Sequence, residues 1–306
     1  MRRLLVFLAA LGVLFATAPE ASATTDFTPY QWALTQVHAP AAWQVSTGSG
    51  VTVGVVDTGA DVGHPDFGGR VTTIDCTNTS GSAANCRAGG ADQYGHGTHV
   101  SGIIAAANDG AGIAGVAPTT NVLMAKVFTC AEPCGPDDNQ PGASTDDINA
   151  GVDYLLARGV VAINLSLGDP GFFGIACDNS GFGPLLNKIW NAGAVPVFAA
   201  GNCGSGPLGG GGSYSGVHAF IVAATGPSGA ESSYTSSLNS AMWGIAAPGG
   251  VKGCTDDGTN CILSTWPHTR PESQPDPYRL LAGTSMAAPH VAGAVADLRS
   301  KGLSQQ

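Results

Sequence analysis

The chain has 306 residues, of which 43% are apolar and only 11% charged, enough to build one large core or two small ones. Its 22 acidic residues outnumber 12 basic ones, which argues against nucleic acid as a partner, because a phosphate backbone needs basic neutralisation. Eight cysteines, an even number with no C-x-x-C pair, favour disulfides over a zinc site.

The first 23 residues read as a secretory signal peptide. Arg2 and Arg3 form a basic start, Leu4 to Ala18 is apolar, and Ala21-Ser22-Ala23 has the small-residue pattern of a cleavage site. The apolar run is short of the roughly 20 residues that span a bilayer. No later segment is long and apolar enough to do so. The expectation is a secreted protein, free of the membrane after signal removal, with one domain over residues 24–306.

Strand candidates then follow in order: "VTVGVVD" (51–57), "VLMAKVF" (122–128), "VVAINLSL" (160–167), "VPVFAA" (195–200) and "FIVAAT" (220–225). They are apolar almost throughout, as strands covered on both faces are. Helical patterns lie between them. "GTHVSGIIAAA" puts His96, Val100, Ile103 and Ala107 on one face. "STDDINAGVDYLLARG" has Ser144 or Thr145 as its N-cap, acids in the first turn and Gly159 at its stop. "GPLLNKIWNAG" is a third helix, and a fourth begins near Ser285. This alternation predicts an α/β fold: three layers, with a predominantly parallel sheet and helices on both faces. The Gly-rich stretch 204–213 has strands of the same sheet on either side, so it does not divide the chain.

Ligands in such sheets sit at the carboxyl ends of the strands. Four polar residues fall at element ends that would meet on that edge. Asp57 closes the first strand, His96 opens a helix, Asn202 follows "VFAAG" and Ser285 begins the helix after "AGT". Nucleophilic catalysis needs such a set. A serine hydroxyl is weak until an imidazole takes its proton, a carboxylate orients that imidazole, and an amide stabilises the oxyanion.

With "DTGADVGHPDF", "HGTHVSGIIAA", "INLSLG", "AAGN" and "GTSMAAPHVAG" in this order, the chain resembles the subtilisin-like serine peptidases. The resemblance runs from about Asp26 almost to the end. It implies Asp57 as orienter, His96 as general base, Ser285 as nucleophile and Asn202 as oxyanion donor. It implies that the backbone of Ser166, Leu167 and Gly168 pairs with an extended protein or peptide substrate and walls the pocket for its side chain. It also implies a structural calcium ion, held by the side chains of Asp26, Asp66 and Asp109 and the carbonyls of Ala107, Ala111 and Ile113. No organic cofactor is expected. Other expectations are a monomer, with a proteinaceous inhibitor or a separate folding factor as its other partners.

Two departures from the family pattern stand out. "TTDFTPYQWALTQVHAPAAW" follows the signal directly, with no folding propeptide, and the chain ends soon after the Ser285 helix. These motivate the main alternative, a secreted scaffold that keeps the fold without catalysis. Proximity suggests disulfides 76–86, 130–134, 177–203 and 254–261. A 130–134 bridge would stiffen one wall of the substrate cleft. Other readings fail on spacing. An α/β-hydrolase needs G-x-S-x-G and a later histidine, but Ala287 breaks that motif and only His290 follows. "GSGPLG" has neither a following helix nor a phosphate-loop lysine. His64 is expected to serve the turn before Pro65, His99 and His290 to pack, and His38, His218 and His268 to lie on the surface or in loops.

Overall fold

The computed structural model of the chain describes residues 25–130, 142–168, 179–204, 212–255, 259–268 and 277–305. The strands are β1 (Thr52–Asp57), β2 (Val71–Asp75), β3 (Arg87–Ala88), β4 (Asn121–Lys126), β5 (Ala162–Leu165), β6 (Val195–Ala199), β7 (Phe220–Thr225), β8 (Trp243–Pro248), β9 (Ile262–Thr265) and β10 (Tyr278–Leu281). The helices are α1 (Trp32–Gln36), α2 (Ala39–Ala42), α3 (His96–Ala105), α4 (Thr145–Leu156), α5 (Gly183–Asn191) and α6 (Thr284–Ser300). Eight strands form one sheet in the order β3-β2-β4-β1-β5-β6-β7-β8. It is parallel except at the β2–β3 edge.

Both faces of this sheet are covered, so its strands carry unbroken apolar runs. In β1, Val53 and Val55 join one core with Val100 and Ile103 of α3 and Met286, Ala287 and Val291 of α6. Val56 points the other way, into a second core with Ile148, Val152 and Leu155 of α4 and Leu186 and Ile189 of α5. Side chains alternate along a strand, so Asp57 shares the face of Val53 and Val55. That parity aims its carboxylate at α3. The chain leaves β1 for β2, returns through β4 between them, then crosses to β5 on the far side of β1. The order reverses beside β1, which puts the ligand crevice at its carboxyl end.

The five expected strands are all present, four with shifted ends and β7 over the expected residues. The run 160–167 pairs only over Ala162–Leu165, which releases Ser166 and Leu167 from the ladder. Strands β2, β3 and β8 and the antiparallel ribbon β9–β10 were not expected from the sequence. Thr72, Thr73 and Asp75 give β2 no apolar run. The ribbon is fixed from outside: the Ser264 and Thr265 hydroxyls donate to the His99 and Thr98 carbonyls of α3 at 2.7 and 2.8 Å. Ser144 is the N-cap of α4, accepting the Asp147 N–H at 3.0 Å. Among the described residues, no helix is long and apolar enough to cross a membrane.

Two expected disulfides are present, Cys76–Cys86 and Cys254–Cys261, with Cα separations of 4.3 and 5.4 Å. Cys130 and Cys203 are also disulfide-bonded. The pairings proposed for them, with Cys134 and Cys177, lie outside the described residues, as does the segment 1–23.

Asp297, in the last turn of α6, is buried, and its Oδ1 has no hydrogen-bond partner. Burial pushes its carboxyl up to about 7, against a hydrogen bond from Ser46. The folded state therefore keeps a proton that the unfolded chain loses near pH 4, and stability falls as pH rises from about 4 to about 7. Asp297→Asn is expected to flatten that part of the Tm–pH curve. An unchanged slope would contradict this account.

Candidate active site

His96 is the first residue of α3, and its Nδ1–H donates to Asp57 Oδ1 at 2.8 Å. The same oxygen accepts the Thr58 N–H at 2.7 Å, and Asp57 is only 1% exposed. With the ring proton on Nδ1, Nε2 keeps its lone pair. Nε2 has no hydrogen-bond partner among the described residues, and the side chain is 20% exposed. Burial alone would lower the pKa of His96, but the charge and hydrogen bond of Asp57, with a further contribution from Asp92, raise it above the ordinary histidine value. The close approach of α3 to β1 depends on Gly97, where a Cβ would collide with the Gly59 carbonyl.

Ser285 lies in the first turn of α6 and is half-buried. Pro289, four residues on, has no N–H to offer the Ser285 carbonyl, as a helix normally would. The Ser166 hydroxyl supplies that donor at 2.8 Å and is itself held by Asn164 Nδ2 at 2.9 Å. In return, the Ser285 hydroxyl donates to the Ser166 carbonyl at 3.3 Å, not to His96. Ser166 is thus tied to Ser285 through its side chain, a role that reading it as substrate-binding backbone did not anticipate. The signal was a proline one helical turn beyond the serine.

Asn202 lies just past β6 and is exposed. Its Oδ1 accepts both the N–H and the hydroxyl of Thr284, each at 2.9 Å. This turns Nδ2 toward Gly283, where a Cβ would sit 3.3 Å from Asn202 Nδ2 and 3.7 Å from Ser285 N. The Ser285 N–H belongs to a first helical turn, whose N–H groups lack intrahelical acceptors. Glycine at 283 therefore leaves open the space between two donors. Ser166 and Leu167 are buried and Gly168 is exposed at the carboxyl end of β5. The facing stretches 131–141 and 169–178, including the expected 130–134 wall, lie outside the described residues.

The other histidines take the places expected of them. His64 Nδ1 accepts the Asp66 N–H at 3.2 Å in the turn before Pro65. His99 and His290 are buried, and burial pulls them down to about 3 and about 4. His38 is exposed, His218 is half-buried, and exposed His268 pairs with Asp61 at 2.9 Å.

Of the implied calcium ligands, Asp66 and the loop 107–113 are in contact. Asp66 Oδ2 accepts the Ile113 N–H and Oδ1 the Tyr278 hydroxyl, both at 2.9 Å, and the Ala107 N–H donates to the Asp66 carbonyl at 2.7 Å. Asp26 joins this loop through a backbone bridge to Gly112. The other two carboxylates cap their own turns, Asp26 on Thr28 and Asp109 on Ala111. Among the described residues, no three acids, histidines or cysteines converge on one point. The donor chemistry nevertheless fits a hard cation. Burial, with a smaller contribution from the Asp109 charge, raises the Asp66 carboxyl to about 6 against its hydrogen bonds from Ile113 and Tyr278, a repulsion that a divalent ion would relieve.

The parallel sheet and the Asp, His, Ser and Asn at its carboxyl edge define a subtilisin-like α/β protein. A sequence profile of the subtilase family matches residues 48–304. The chain is 35% identical to thermitase from Thermoactinomyces vulgaris over 280 residues, 91% of this chain and 85% of that protein. It is 33% identical to an alkaline protease from Shouchella clausii over 285 residues, covering 92% of this chain but only 63% of that longer protein. Among solved structures, proteases from Pseudoalteromonas arctica align with a TM-score of 0.69 at 28% identity, over 91% of this chain and 87% of theirs. A cold adapted subtilisin-like serine proteinase aligns with a TM-score of 0.57 at 25% identity, over 83% and 77%. The chain belongs to the subtilase family, as a subtilisin-like serine endopeptidase.

Ser166→Ala is expected to leave the Ser285 carbonyl without its donor and to cost about 1–3 kcal/mol of stability in denaturant unfolding. A loss below a few tenths would show that the tie is dispensable.

Proposed function

We propose that this chain hydrolyses peptide bonds through an acyl-enzyme formed on Ser285. The single observation that carries the reading is the 2.8 Å bond between His96 Nδ1 and Asp57 Oδ1, which puts the ring proton on Nδ1 and leaves Nε2 its lone pair to act as base. The reading requires the Ser285 hydroxyl to leave the Ser166 carbonyl for His96 Nε2. The base accepts the proton as Oγ attacks the substrate carbonyl, and Asp57 stabilises the imidazolium that results. Charge on the carbonyl oxygen is met by Asn202 Nδ2 and the Ser285 N–H. His96 then gives its proton to the leaving amine, the C–N bond breaks, and water repeats the sequence on the ester. The released backbone of Ser166, Leu167 and Gly168 supports pairing with an extended segment of protein or peptide.

The reading extends to calcium and to export. Asp26, Asp66 and Asp109, with the carbonyls of Ala107, Ala111 and Ile113, would hold the ion and brace the loop after α3. Residues 1–23 would direct secretion, and the disulfides suit an oxidising compartment. The mature domain would then begin at residue 24 and act as a monomer. The second reading, a non-catalytic scaffold, draws on one observation, the Ser285 hydroxyl bonded to Ser166 instead of His96.

Peptide hydrolysis by the mature chain separates the two. Activity is expected in the wild type and not in Ser285→Ala; a folded wild type without activity would favour the scaffold. Asn202→Ala is expected to lower kcat by about 10²–10³ with KM little changed, a magnitude that comes from subtilisin itself and not from this structure. Activity should fall on the acid side as His96 protonates, with a midpoint shifted upward from the ordinary histidine value by Asp57. Calcium should raise Tm in the wild type and not in Asp66→Asn, and a Tm indifferent to both calcium and chelator would remove the calcium proposal alone.

A further inference from the structure

One buried carboxylate outside the proposed quartet touches both halves of the Asp57–His96 pair through intermediaries. Asp92 lies in the loop entering α3 and is 5% exposed. Its Oδ1 accepts the Thr58 hydroxyl at 2.9 Å, the Tyr94 N–H at 3.1 Å and the Gly95 N–H at 2.7 Å. Its Oδ2 accepts the Thr98 N–H at 2.9 Å and the Thr98 hydroxyl at 2.7 Å. All five contacts are donors to it. Thr58 is the residue whose N–H binds Asp57, and its hydroxyl also accepts the Gly97 N–H at 2.9 Å. Gly95 and Gly97 flank His96, and Thr98 completes the first turn of its helix. An anion at this end of α3 also meets the positive end of the helix dipole.

We propose that Asp92 is a positioning residue for the reaction: it ties β1, through Thr58, and the first turn of α3 to one carboxylate, and so fixes the His96–Asp57 bond before substrate arrives. This rests on His96 being the general base. Asp92 touches neither substrate nor the reacting atoms. An anchor shared by both partners removes relative motion that would otherwise have to be frozen in the transition state.

The charged and titratable groups around His96 come from three directions. Asp57 lies on β1 and Asp92 on the loop before α3, and both raise the histidine's pKa. Lys126 on β4 donates to the Thr58 and Ala91 carbonyls at 2.9 and 3.0 Å and to Gln93 Oε1 at 3.3 Å, bracing the same two segments from behind. His99, one turn along α3, is pulled down to about 3 by burial and so adds no charge at neutral pH.

Asp92→Asn keeps the shape but loses the charge and part of the acceptor capacity. In the active chain it is expected to lower kcat by on the order of ten- to a hundredfold with KM nearly unchanged. The acid limb of kcat/KM should move to lower pH. The same direction should appear in the imidazole titration of His96, followed by NMR in the Ser285→Ala chain, where no turnover is needed. A folded Asp92→Asn chain with an unmoved acid limb and an unmoved His96 titration would overturn the proposal and leave Asp92 as a helix cap. If Asp92→Asn does not fold, Thr58→Val decides, because it removes the hydroxyl that joins β1 both to Asp92 and to the Gly97 N–H beside His96. A smaller shift in the same direction supports the proposal, and none overturns it. Were the wild type inactive, the base assignment would fail, while the NMR titration would still decide whether Asp92 holds the histidine.

Discussion

The hydrogen bond from His96 Nδ1 to Asp57 Oδ1 joins the end of a central strand to the start of a helix 39 residues later in the chain. Much of the fold can be understood as what makes that meeting unavoidable. Strand parity aims Asp57 at α3, and the reversal of strand order beside β1 opens the crevice where the two meet. Gly97 lets the helix approach to backbone contact. Asp92 and Lys126 then fasten the segments on either side. A buried, hydrogen-bonded pair of this kind is costly to leave half-made; Asp57 Oδ1 is doubly occupied, while its buried Oδ2 has no partner.

The serine side is held by a different device. Pro289 removes one helical hydrogen bond, and the vacancy is filled by a hydroxyl from the end of β5. This couples the segment proposed to hold substrate to the residue proposed to attack it. Thr284, between Gly283 and Ser285, orients Asn202. Three consecutive residues at the start of α6 therefore serve the space, the donor and the nucleophile in turn.

How much of this was legible in the sequence follows from the reach of each signal. Asp57, His96, Asn202 and Ser285 could be placed at element ends from the sequence because chain order and element ends are local properties. The apolar runs of β1, β4, β5, β6 and β7 announced a sheet covered on both faces. What escaped was built from contacts between distant segments. Asp92 looks like one more loop acid until Thr58, Gly95 and Thr98 are seen to converge on it. The ribbon β9–β10 draws its support from α3 and not from its own pattern, and β2 lacks an apolar run. Ser166 could be placed at the cleft but not bonded to Ser285, since that needed the proline's missing N–H and the strand's early end.

The most direct test of the central claim, that the histidine held by Asp57 activates Ser285, is where a fluorophosphonate attaches to the folded wild-type chain. Digestion and mass mapping should find one adduct, on the peptide bearing Ser285, forming more slowly as the pH falls through the titration of His96. A folded chain that takes no adduct, or takes it at another residue, would contradict the account.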